Sequence, residues 1–179
     1  MENHQCVLGV SKEMKGFIEN IGKLNIKTLL IALTICLVFA IVESLLAGDI
    51  DVYAFFENLK QPTWSLPVWS WLLIGGFYYV LCTAILYNVL LAQPSTKRSI
   101  ALALTIAMMV ANTIWNYFFF GEQSSGYSFT AFIIFLPIVF GLFVSLWKFQ
   151  RKSAWILIPY LAWLVYDFFW IWSIWKINK

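Results

Sequence analysis

The sequence is short of charge. Only 12% of its 179 residues are Asp, Glu, Lys or Arg, about half the share of an ordinary soluble domain, while 61% are hydrophobic. That balance excludes a soluble domain of this size and leaves an integral membrane protein. The net charge is only +3 and is spread over loops, so no cationic face is available for nucleic acid. Cysteine is scarce and scattered: Cys6 lies in the tail, Cys36 and Cys82 in apolar runs, and no CxxC spacing suggests a metal cluster. The single histidine, His4, sits in a polar terminus, so no metal site and no required cofactor is expected. Nor does the start resemble a secretory signal, because the first apolar run is about 20 residues long and has no A-x-A site.

What the chain has in abundance is long apolar runs. Five of them, roughly 28–47, 66–91, 99–120, 127–147 and 154–175, are each near the length that crosses a hydrocarbon core. The expected fold is therefore all-α, a five-transmembrane-helix bundle over 28–179, preceded by a polar tail over 1–27. In that tail Val10, Met14, Phe17, Ile18, Ile21 and Leu24 recur at helical spacing among lysines. This fits either an amphipathic helix on the membrane surface or a partly disordered segment. The tail, the 92–98 loop and the 148–152 loop carry nine of the twelve Lys and Arg residues. By the positive-inside rule the N-terminus is cytoplasmic and the C-terminus outside.

Aromatic residues are the other surplus, 19% of the chain with ten tryptophans, more than two interfacial belts need. Some of these rings must line an interior. On the last span Trp163, Tyr166, Asp167 and Trp170 follow i, i+3, i+4, i+7 spacing, and on the third span Asn112, Trp115, Asn116 and Phe119 do the same. Two such stripes suggest a cavity between helices, although packing or interfacial anchoring is the plainer account of any one tryptophan. Asp167 stands mid-helix, where an acid costs about 2.5 to 3.5 kcal/mol on insertion scales and normally faces the bundle interior. Tyr79 and Asn112 come to a similar depth by residue count, so the three could hydrogen-bond across the bundle. Glu43, one turn from the end of its span, reads as a structural residue that snorkels to the interface. The long connection 48–65 reads as a short helix capping the bundle mouth, with Pro62 and Trp64 as lid residues, or as an ordinary surface loop.

These residues resemble the tryptophan-rich sensory protein or translocator protein family, TspO/MBR. NTIWNYFFFG, with Asn112, Trp115, Phe119, Phe120 and Gly121, is similar to the family's N-x-x-W-S/T-x-x-F-F-G. PYLAW from Pro159 to Trp163, then Trp175 and Asn178, resembles its P-Y-L-A-W and W-x-x-N, and LKQPTWSLP resembles its L-x-K-P-x-W-x-P-P. Tyr79 falls on the family's second-span tyrosine. The resemblance implies a five-helix bundle, often a homodimer, with a pocket for porphyrins, haem or other hydrophobic small molecules. By matching position, Trp115 and Trp163 would line it, with Asn112 and Tyr79 on its wall.

Departures from the pattern point the other way in places. Met108 stands where the family has glutamine, Ile171 where it has asparagine, and Gly75 where it has a second-span tryptophan. That tryptophan and the one at Trp163 are the implicated pair in relatives that break porphyrins down photo-oxidatively, so Gly75 argues against an enzyme. Asp167 replaces an alanine or threonine, and either turns ligand choice toward something basic or hydroxyl-bearing or closes a polar cluster with Asn112. The leading expectation is a membrane receptor or sensor binding a porphyrin-like ligand at Tyr79, Asn112, Trp115, Trp163 and Asp167. A porphyrin-degrading enzyme, a transporter of tetrapyrroles or other hydrophobic ligands, and a ligand-free structural protein are the alternatives.

Overall fold

The computed structural model describes residues 24–179, so the two readings of the tail fall almost wholly outside the described residues. Six helices follow in order: α1 (Ile26–Ala47), α2 (Val52–Asn58), α3 (Val68–Leu91), α4 (Thr96–Asn116, prolonged by a π-helical turn over Tyr117–Gly121), α5 (Ser125–Phe149) and α6 (Arg151–Ile177). All but α2 are long and apolar enough to span a bilayer, which makes this a multi-pass integral membrane protein. No strand occurs among the described residues.

Side chains define the helix starts. Asn25 accepts from the Thr28 amide at 3.0 Å, Asp51 from Tyr53 and Ala54 at 3.0 and 3.1 Å, and Ser95 from Arg98 at 3.2 Å, each satisfying a donor that has no partner within its own helix. The α3 end is closed by Arg98, whose guanidinium donates to the Val89 and Leu90 carbonyls at 3.0 and 3.3 Å. Going round the bundle, α1 packs on α3, α3 on α6, α6 on α5, α5 on α4 and α4 on α1. Within a bilayer apolar burial gives little drive for helix association, so small residues at the contacts matter. Ala32, Ala101, Ala154 and Ser153 are fully buried there. Helix α1 is the least embedded: only Ala32 and Cys36 are buried, and Leu30, Leu33, Leu37, Ile41 and Leu45 face outward.

The end of α4 shows why its motif finishes in glycine. A Cβ on Gly121 would lie 2.5 Å from the Leu46 carbonyl oxygen, so only glycine lets the π-helical turn reach the end of α1. The turn accommodates one extra residue, and Trp115, Asn116, Phe119 and Phe120 all reach the interior from it and the turn before.

The 48–67 connection is fastened to α6 at three levels. Asn178 accepts from the Lys60 amide at 3.3 Å and donates to its carbonyl at 2.8 Å. Trp170 Nε1 donates to Ser65 Oγ at 2.9 Å, and the Leu66 amide donates to the Tyr166 hydroxyl at 3.1 Å. These bonds hold α2 across the bundle mouth.

Candidate functional site

Between α1, α3, α4, α5 and α6, beneath α2, lies a cavity of about 140 Å³. Three tryptophans, Trp71, Trp115 and Trp163, contribute to its wall, and Phe56 of α2 and Phe119 of α4 close its outer end. Trp115 stacks on Phe119 with ring centroids 5.0 Å apart and planes at 9°. Trp71 meets Trp163 edge to face at 5.2 Å, lies tilted against Trp170 at 4.1 Å and stacks toward Phe56 at 6.0 Å. Offset and edge contacts of this kind contribute about 0.5–1.5 kcal/mol each beyond area burial, so the aromatic wall is rigid.

The five residues expected from sequence to bind ligand, Tyr79, Asn112, Trp115, Trp163 and Asp167, are brought together on this one cavity. Pro62 and Trp64 are not on it. Trp64 is 45% exposed and rests its edge on Tyr166 at 5.6 Å, and the covering residue is instead Phe56, which is 2% exposed. The physical reason is register: α2 presents Phe55 and Phe56 to the bundle, whereas the Pro62–Trp64 turn follows after the chain has passed the mouth.

Two readings of the acids need correction. Glu43 does not snorkel. Its Oε1 accepts from Asn112 Nδ2 at 2.8 Å and from Thr113 Oγ1 at 3.0 Å, and it lines the cavity. Helix α1 ends just beyond Glu43, but Cα–Cβ bonds tilt toward a helix's N-terminus, so the side chain leans back toward mid-membrane rather than to the nearer interface. The cluster proposed between Asp167 and Asn112 is not formed either, because the Asn112 amide is engaged by Glu43. Asp167 is 7% exposed and its Oδ1 has no hydrogen-bond partner.

Trp71 is the residue that sequence reading missed. It sits one turn before Gly75 on the face shared with Tyr78 and Tyr79, a spacing visible in WSWLLIGGFYY. The tryptophan absent at 75 is thus accompanied by an indole four residues earlier, in ring contact with Trp163. At Gly75 itself an added Cβ would meet nothing within 4 Å. A second void of about 410 Å³, reaching toward the first loop past Gly76, Ala47 and Gly48, shares Glu43, Gly75, Trp71 and Asn116 with the first.

Four buried side-chain polar atoms make no well-formed hydrogen bond among the described residues: Trp71 Nε1, Trp115 Nε1 and Asp167 Oδ1, and Tyr79 Oη, which faces the Glu43 carboxyl without closing a bond to it. All four residues line the cavity. Three are donors and one is a carboxylate oxygen, so the wall offers both kinds of hydrogen bond to an occupant. No group of three His, Cys, Asp or Glu side chains able to hold a metal ion is found among the described residues.

Comparison with known proteins now bears on this geometry. The TspO/MBR family matches residues 32–176, a stretch that includes every cavity-lining residue. Protein CrtK of Rhodobacter capsulatus is 25% identical over 126 residues, covering 70% of this chain and 79% of its own length. The tryptophan-rich sensory protein of Cereibacter sphaeroides is 27% identical over 112 residues, 61% of this chain and 67% of its own. The human translocator protein is 23% identical over 129 residues, 69% and 75% respectively.

Proposed function

The chain belongs to the TspO/MBR family, and on that premise we propose that it is a membrane receptor or sensor that holds a flat hydrophobic ligand, a porphyrin being the first candidate, inside its helix bundle. The observation that carries this is the coincidence of an aromatic-walled cavity with all four unpartnered polar atoms. Tryptophan faces stack on a conjugated plane, while Tyr79 and the two indole N–H groups offer hydrogen-bond donors to its polar edge. The name of the C. sphaeroides relative, a sensory protein, agrees with a binding role.

Size sets a condition on this reading. Ligand pockets generally span about 300–1,000 Å³, and the enclosed cavity is about 140 Å³. A macrocycle therefore has to occupy the neighbouring void as well, passing beside Gly75, or lift α2. With the N-terminus cytoplasmic, as the distribution of Lys and Arg indicates, α2 and that entrance lie on the outer side.

The test is titration of detergent-purified protein with protoporphyrin IX in the dark, following tryptophan fluorescence. Saturable quenching that is weakened at least about tenfold in Trp163→Phe is the expected result; quenching indifferent to Trp163 and Trp115 would remove the cavity from the account. A second reading has one observation in its favour: Trp71 stands 5.2 Å from Trp163, so a neighbouring pair of indoles exists although residue 75 is glycine. If that pair supports light-dependent breakdown, illumination of the complex bleaches the porphyrin band faster than a no-protein control, and Trp71→Phe abolishes the difference.

A further inference from the structure

The cavity holds two acids, Glu43 and Asp167, and no basic residue: none of its lining residues is Lys, Arg or His. The adjoining void is also lined by Glu43 and also has no basic residue. Asn112 and Thr113 answer one oxygen of Glu43, but these are neutral donors and bring no positive charge to the site. Asp167, 7% exposed, has Oδ1 with no partner at all. Trp71, Trp115 and Trp163 line the same cavity as the acids, and the π-face of an indole attracts a cation placed over it. A carboxylate with indole faces beside it is the arrangement that recognises a positively charged nitrogen. An anionic group is disfavoured beside these acids once they are ionised, so a porphyrin in this cavity would have to turn its two propionates away from Glu43 and Asp167.

Resting on the reading that this cavity is the ligand site, we propose that among flat aromatic ligands of one shape it selects an organic cation, an aromatic plane bearing a protonated amine or quaternary nitrogen that sits against Asp167 and Glu43. The carboxylates set the sign of the ligand, and Trp71, Trp115 and Trp163 hold its plane. This assigns Asp167 and Glu43 as the residues that separate this chain's ligand choice from one made by aromatic stacking alone.

Three probes of nearly the same shape separate charge from stacking: N-methylquinolinium, 1-methylnaphthalene and 1-naphthoate, each titrated calorimetrically into the full chain in nonionic detergent. The expected order is cation, then neutral, then anion, with the cation at least about tenfold tighter than the neutral probe. In Glu43→Gln and in Asp167→Asn the ratio of cation to neutral affinity should fall by about threefold or more, and in the double variant it should approach one. Thermal unfolding of each variant verifies that it is folded. Equal affinity for the three probes, or a ratio that survives in the double variant, overturns the proposal while leaving the cavity as the ligand site, provided binding still depends on Trp163. If no probe binds, or none depends on Trp163, both this proposal and the cavity reading fall.

Discussion

Replacing Glu43 with alanine should destabilise the bundle by about 1–2 kcal/mol, and replacing it with glutamine by less than half as much. Glu43 Oε1 accepts two hydrogen bonds, from Asn112 Nδ2 at 2.8 Å and Thr113 Oγ1 at 3.0 Å. The Thr113 hydroxyl has a single hydrogen and also lies 3.0 Å from the Met109 carbonyl, so it has an alternative acceptor once Glu43 is gone. Asn112 Nδ2 has none of that kind. Its bond to a carboxylate would be worth roughly 1.5–3 kcal/mol in a soluble protein. Between membrane helices measured values average about 0.6 and reach about 1.7 kcal/mol, because separated helices find other partners. The lower range decides, with a further contribution from the shared Thr113 bond. Glutamine keeps an acceptor oxygen at the same reach, so Asn112 stays satisfied. Equilibrium unfolding in mixed micelles of increasing SDS fraction reads these differences directly. An alanine variant within about 0.3 kcal/mol of the parent would mean that Glu43 reaches the interface after all. A glutamine variant as damaged as the alanine one would mean that its charge, not its acceptor, holds α1 to α4.

Three further outcomes are expected. Gly121→Ala should cost about 1–3 kcal/mol by the same unfolding measurement, because its Cβ would stand 2.5 Å from the backbone oxygen of Leu46 and neither helix end can yield cheaply; a neutral substitution would show that the π-helical turn is free to move. Asn178→Ala removes both bonds to the Lys60 backbone and should accelerate limited proteolysis within residues 48–66 severalfold, at a stability cost of about 1 kcal/mol, whereas unchanged cleavage would mean that Ser65 and Tyr166 suffice to hold the cover. Gly75→Trp places an indole where nothing lies within 4 Å, so it should leave the unfolding transition within about 1 kcal/mol of the parent while reducing porphyrin affinity at least about tenfold by obstructing the junction between the two voids; undiminished binding would move the ligand's path away from Gly75.

Much of this arrangement was readable from the residues, because long apolar runs and i, i+3, i+4, i+7 stripes are direct consequences of helix geometry in lipid. The spans, the stripes of α4 and α6 and the inward side of Asp167 follow from that alone. What escaped has identifiable causes. Glu43 was assigned by its distance to the helix end, whereas the direction of its Cβ, set by the direction α1 runs, decides where the carboxylate goes. Trp71 lies one turn before Gly75 on the same helix face, so position-by-position matching at 75 does not register that its ring reaches the same neighbour, Trp163. Phe56 belongs to a seven-residue helix, too short for periodicity to reveal which side it turns inward. The partner of Asn112 depended on which of two acids was nearer, and depth counted along helices has no resolution around the bundle axis.

The distribution of unsatisfied atoms argues against a purely structural role for this bundle. An unpaired buried polar group costs about 1–3 kcal/mol, so Trp71 Nε1, Tyr79 Oη, Trp115 Nε1 and Asp167 Oδ1 together weigh several kcal/mol against the fold. A bundle selected only for stability would place apolar side chains of matching volume at these positions and would leave no polar atom unanswered. Nor are the four scattered through the core, as accidents of packing would be; they border one void. Water or a ligand must answer them, and the wall between them discriminates: indole and phenyl faces offer water few bonds but offer a flat conjugated solute a close contact on several sides. The same replacement of ring by space recurs at Gly75, where the void widens beside the aromatic stack that Trp71 completes. The stability relinquished at the cavity is thus concentrated where an aromatic ligand, and one with a charge opposite to that of Glu43 and Asp167, would return it on binding.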